Sequence, residues 1–106
     1  MANFVLLYSG GSMPESQAEH AAVMKAWEAW FGGLGSAVVD GGNPFTPKAK
    51  SIASNGTVSD SPVGTMASGY SIIKADSLDA AVDIARRCPV LQGGAQISVY
   101  ETFPVM

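Results

Sequence analysis

The chain is poor in the groups on which several kinds of chemistry depend. It carries one cysteine, Cys88, and one histidine, His20. A lone thiol cannot staple a monomer and suits a reducing compartment, so a cytoplasmic protein is expected. One His and one Cys far apart in sequence lack the spacing of a metal-ligand set, and no metal is expected. The six Lys and Arg residues are scattered, with Arg86-Arg87 the one adjacent pair. Phosphate backbones are held by clustered cations, so nucleic acid is not an expected partner. No apolar run approaches the roughly 20 residues that span a bilayer. No basic region precedes the short apolar stretch at the N-terminus, so neither a membrane span nor a signal peptide is expected. The glycines form neither a dinucleotide fingerprint nor a phosphate loop, and no cofactor is expected.

What remains is apolar. Hydrophobic residues make up 47% of the 106 and charged residues 14%, with a net charge of -3. That balance predicts a single packed domain over residues 1–106 with a modest core. The stretch Asn3-Phe4-Val5-Leu6-Leu7-Tyr8 reads as a strand that is apolar on both faces. Alternation puts Phe4, Leu6 and Tyr8 on one side and Val5 and Leu7 on the other. One side is for helices of the same chain. The other needs a partner.

After the turn Ser9-Gly10-Gly11-Ser12, a helix is expected. Ser12 and Glu15 have capping-box spacing, and Pro14 suits an early helical position. Val23, Trp27, Trp30, Phe31 and Leu34 trace a helical stripe, and Gly35 is the expected left-handed stop. Ala37–Asp40 reads as a second strand. Residues 41–66 then break into Gly, Pro, Ser and Asn. Within them Lys50–Ala53 and Thr57-Val58 flank Asn55-Gly56, which predicts an exposed hairpin inserted in the sheet connection. Asn55-Gly56-Thr57 also matches a glycosylation sequon, for which the turn is the preferred reading. Ser68–Lys74 is a third strand. Asp76 and Ser77 compete to cap a second helix with Leu78, Ala81, Val82 and Ala85 inward, ended by Pro89. Gln96–Glu101, beyond the Gly93-Gly94 turn, is the last strand.

The order predicts an α+β, ferredoxin-like βαββαβ domain. Its antiparallel sheet carries both helices on one face, because crossovers are right-handed, and an extra hairpin lies between strands two and three. The open face then holds some of Phe4, Leu6, Tyr8, Val5, Leu7, Tyr70, Ile72, Ile97, Val99 and Tyr100. A bare patch of that size predicts a homodimer packed sheet to sheet.

Three groups of residues resemble the YCII-related domain family. They are Phe4–Tyr8, the Trp27-x-x-Trp30-Phe31-x-x-Leu34-Gly35 helix, and the junction running from Gly69-Tyr70-Ser71-Ile72-Ile73 to Ala81-Val82. Cys88-Pro89-Val90-Leu91 and Ile97-x-Val99-Tyr100-Glu101 extend the likeness over nearly the whole chain. The resemblance implies a dimeric α/β barrel. It also implies a site, since some branches pair a His on helix one with an Asp after strand one. His20 corresponds to that His, whereas Ser9, Gly10 and Gly11 stand where the Asp would be. Another branch has Asp-Gly-Pro-Phe before strand three. Here the sequence is Asp60-Ser61-Pro62-Val63, so only the Asp and Pro are kept.

Two functions are open at this stage. One is a small-molecule-binding dimeric module without catalysis. The other is a cofactor-free lyase or isomerase acting on a small aromatic or carbonyl compound. In the second, His20 carries the proton, being the one side chain whose ordinary pKa suits transfer near neutrality, and Asp40 or Asp60 orients it. The alternative reading makes His20 an exposed helix residue and Asp40 the first residue of a turn. Tyr8, Trp27 and Tyr70 are candidates to line an aromatic pocket, or else core and dimer face, with Phe45 as its lid or as a loop anchor. Cys88, at the wrong end of a helix for activation, reads as structural.

Overall fold

The computed structural model describes residues 1–11 and 16–105. Strands β1 (Ala2–Ser9), β2 (Val38–Asp40), β5 (Ala67–Ala75) and β6 (Gln96–Glu101) form one sheet in the order β2-β5-β1-β6. Every pairing in it is antiparallel. Strands β3 (Ser51–Ile52) and β4 (Val58–Ser59) make a separate two-stranded sheet. With helices α1 (Gln17–Leu34) and α2 (Leu78–Ala85), this is a mixed α+β arrangement consistent with a ferredoxin-like fold.

Strand alternation decides which side chains enter the core. Phe4, Leu6 and Tyr8 are buried, as are Gly69, Ser71, Ile73 and Ala75 on β5. The register sets Phe4 beside Ile73, Leu6 beside Ser71 and Tyr8 beside Gly69. On β6, Val99 opposes Leu6 and Ile97 opposes Tyr8, and both pack against the same core. The face expected to be open is thereby divided. Phe4, Leu6, Tyr8, Ile97 and Val99 belong to the helix side. Val5, Leu7, Tyr70 and Ile72 are half-buried on the other side, where Tyr100 opposes Val5 and is exposed.

Both helices lie against the inner face because their apolar residues recur at helical spacing. On α1, Trp30 is buried and Trp27, Phe31 and Leu34 pack around the core, while Val23 at the start of the expected stripe is exposed. Burying a large side chain of this kind contributes on the order of 1.5–3 kcal/mol. The Trp30 indole N–H donates to the Ile84 carbonyl at 3.4 Å, tying α1 to α2. On α2 the inward residues are Ala81 and Ala85, whose small size lets the helix approach the sheet closely. Leu78, expected inward, is exposed instead: it opens the helix, one turn away from the buried alanine row.

The boundaries follow the caps. The expected Ser12–Glu15 box with Pro14 lies outside the described residues. The described helix takes its cap from Ser16, whose hydroxyl accepts from the Glu19 N–H at 3.1 Å. Gly35 ends α1 at a positive φ of 54°. Ser77 prevails over Asp76 as the cap of α2, accepting from the Ala80 N–H at 3.1 Å. That helix stops at Ala85, and Pro89 opens a short 3-10 turn over Pro89–Gly93. Asn55-Gly56 forms the hairpin turn, with the Asn55 side-chain Oδ1 accepting from the Thr57 N–H at 3.0 Å.

Candidate functional site

A cavity of about 330 Å³ opens between α1 and the inner face of the sheet. Strand register shapes its floor: Tyr8 is paired with Gly69, where a Cβ would meet the Asn43 carbonyl oxygen at 3.1 Å and the Pro44 Cα at 3.2 Å, so the glycine lets that backbone lie close beside the strand. Tyr8, Gly69 and Ser71 form a buried floor, and the half-buried Trp27, Phe31 and Val90 form the walls. Exposed Met24, Asn43 and Pro44 form the rim. The Trp27 ring stands edge-on to Tyr8, with centroids 5.7 Å apart, and is tilted against Phe31 at 5.5 Å. Among the described residues, none that lines the cavity is charged. The hollows near Pro47–Lys50 and near Phe45–Met66 lie along the exposed loop, more open to solvent.

The segment after β2 closes one side of the cavity. Its course requires glycine at position 42, where φ is +74° and a Cβ would fall 1.7 Å from the Tyr70 carbonyl oxygen. The Asp40 carboxylate accepts from the Gly42 N–H at 2.8 Å, the turn-forming role open to it from sequence. The Tyr70 N–H then donates to the Asn43 carbonyl at 3.3 Å, and Pro44 bridges to Gly69. Asn43 and Pro44 are thus laid along the edge of β5, beside the cavity.

A line of buried hydrogen bonds runs beneath the floor. Tyr8 Oη donates to Ser71 Oγ at 2.7 Å, and Ser71 Oγ donates to the Gly41 carbonyl at 2.8 Å. The Cys88 thiol donates to Tyr8 Oη at 3.8 Å. Burial raises the Tyr8 phenol well above the ordinary tyrosine range, against a smaller downward effect of the Ser71 bond. Burial likewise raises the Cys88 thiol, opposed by its hydrogen bonds. Both groups are therefore neutral at physiological pH. Cys88, 2% exposed, is the structural cysteine expected from sequence.

The three candidate proton-transfer residues are not brought together. His20 is exposed near the start of α1 and does not line the cavity. No hydrogen bond or ion pair joins its ring to a described residue. Asp60 is on the far side of the hairpin, exposed and paired with Lys50 at 3.2 Å. Asp40 sits at the end of β2, its second oxygen 3.5 Å from the Tyr70 hydroxyl, the outer limit of a hydrogen bond. Of the candidate ligand-contact residues, Tyr8 and Trp27 line the cavity. Tyr70 borders it, but strand alternation turns its ring to the other face of the sheet, where it stacks on Phe45 at 5.7 Å. Phe45 does not line the cavity.

Sequence reasoning did not single out Ser71, Gly69 or Asn43. A signal was present for two of them: Ser71 and Gly69 fall on the inward positions of a strand whose other inward residues are Ile73 and Ala75. A polar or absent side chain in such a row marks a bond or a close backbone approach, here that of Asn43 and Pro44 to Gly69. Among the described residues no group of three or more His, Cys, Asp or Glu is placed to hold a metal. Nor is any helix long and apolar enough to cross a membrane. No protein-family model matches the chain, and no curated protein matches it.

Proposed function

We propose that this protein is a small-molecule-binding module that operates as a homodimer. The single observation that carries the binding role is the aromatic cavity between α1 and the sheet, about 330 Å³ and lined, among the described residues, without a charge. Ligand pockets are concave and mostly apolar with a few polar groups, and run from roughly 300 Å³ upward. Binding is favoured over proton transfer because His20, Asp40 and Asp60 stand apart from one another and from the cavity floor. The dimer reading is that Val5, Leu7, Tyr70, Ile72 and Tyr100 meet their equivalents in a second copy, closing the dimeric α/β barrel of the YCII-related likeness. The unpaired thiol supports a reducing compartment, and hence a cytoplasmic protein, on this reading.

Thermal unfolding in the presence of small ring compounds tests the binding role. A true ligand raises Tm in step with its concentration, because it binds the native state alone. The binding role fails if no such compound shifts Tm up to its solubility limit. Sedimentation at micromolar concentration tests assembly separately: a dimer is expected, and a monomer contradicts the sheet-to-sheet model.

A further inference from the structure

The hydrogen bonds beneath the cavity can run in only one direction. A carbonyl has no proton to give, so the Gly41 oxygen fixes Ser71 as the donor of their 2.8 Å bond. With its one proton committed, Ser71 Oγ can only accept across the 2.7 Å to Tyr8. The phenol is therefore a donor there, and the Cys88 thiol aims its own weak donor at the phenolic oxygen. Neither floor hydroxyl has a proton left for a ligand. Ser71 is fully buried and Tyr8 is 5% exposed, so their remaining lone pairs are shielded too.

The rim is chemically the reverse. Asn43 is exposed and Ser68 half-buried, and both border the cavity. Neither side chain makes a hydrogen bond to a described residue. Their amide and hydroxyl can each donate and accept. Between floor and rim stand the Trp27 and Phe31 rings.

From this asymmetry, and resting on the cavity being a binding site, we infer that it selects small, flat ligands polar at one end only. The hydrocarbon end enters toward Tyr8, and the polar substituent stays at Asn43 and Ser68. Size follows from volume. An apolar cavity of about 150 Å³ holds one benzene, so about 330 Å³ accommodates on the order of two fused rings.

The test is a calorimetric titration of the full chain with two matched probes. One is β-naphthol, with a single hydroxyl; the other is the naphthalenediol with a hydroxyl at each end. The inference predicts saturable binding of β-naphthol and about tenfold or more weaker binding of the diol, whose inner hydroxyl would be buried without a partner. Equal or tighter binding of the diol overturns the inference and leaves the cavity as a binding site. Failure of both probes to bind overturns the inference and the binding role together. In Ser71→Ala the Tyr8 proton is released, and the penalty on the diol should fall at least threefold; an unchanged penalty in a folded variant counts against the inference.

Discussion

Tyr8 and Ser71, 63 residues apart in sequence, share a buried 2.7 Å hydrogen bond that links β1 to β5 beneath the cavity. The serine passes the bond on to the Gly41 carbonyl, so strand β1, strand β5 and the segment after β2 are held by one line of contacts. Removing either hydroxyl strands more than one partner. Ser71→Ala leaves the Gly41 carbonyl and the phenol proton unmatched, which costs about 1–3 kcal/mol. Tyr8→Phe should cost about 1–2 kcal/mol. Because both changes break the same bond, the double variant should lose less than the sum of the singles, by about 0.5 kcal/mol or more. Urea unfolding of the four proteins measures this. Strict additivity would show that the two hydroxyls act independently.

The pH dependence follows from the same burial. The Tyr8 phenol and the Cys88 thiol both have native pKa values raised above their ordinary 10.0 and 9.0. The native state then keeps protons that the unfolded chain releases at high pH, so stability must fall as pH rises. Their contribution is fully present below about pH 9 and is lost progressively above it. Urea midpoints between neutrality and alkaline pH should decline in the natural protein and decline less in the Tyr8→Phe, Cys88→Ala double variant. Matching slopes would rule out these two groups as the source.

Gly42 offers a test of how the cavity wall is built. Its positive φ is strained for any other residue, and a Cβ would meet the Tyr70 carbonyl oxygen at 1.7 Å. Gly42→Ala should therefore lower stability by roughly 3 kcal/mol or more. Gly56, also at positive φ but with open space around it in the hairpin turn, should tolerate alanine better. Comparing the two by thermal unfolding isolates the close approach from the backbone preference. Equal losses would mean that the contact with Tyr70 is relieved at no cost.

The elements were legible in the sequence where local chemistry and tertiary packing agree. The two-sided first strand, the Trp27–Leu34 stripe, the Asn55-Gly56 turn and the Gln96–Glu101 strand all recur in the fold. Alternation also fixes which residues share a face. It does not say which face meets the helices, so Phe4, Leu6 and Tyr8 could not be assigned inward until α1 and α2 were seen lying on them. Leu78 shows the limit at a helix end, where one turn separates an apolar residue from the buried row. Tyr8 and Trp27 could be named as pocket candidates, but the shape of the cavity was out of reach for a different reason. It depends on Tyr8 standing opposite Gly69 and on Ser71 meeting Gly41, and strand register and loop path are long-range relationships with no local trace. His20 and Asp60 drew notice by residue type and by the family likeness, and neither carries information about distance.

The most direct measurement of the central claim is an NMR titration of the labelled protein with β-naphthol. The account predicts saturable shifts in the amide signals of Tyr8, Gly69 and Ser71 and in the Trp27 indole N–H, which line the cavity. The Trp30 indole N–H, already bonded to Ile84 and outside the lining, should move less. Shifts that do not saturate, or that gather around His20 or the Ser51–Ser59 hairpin, would contradict the account.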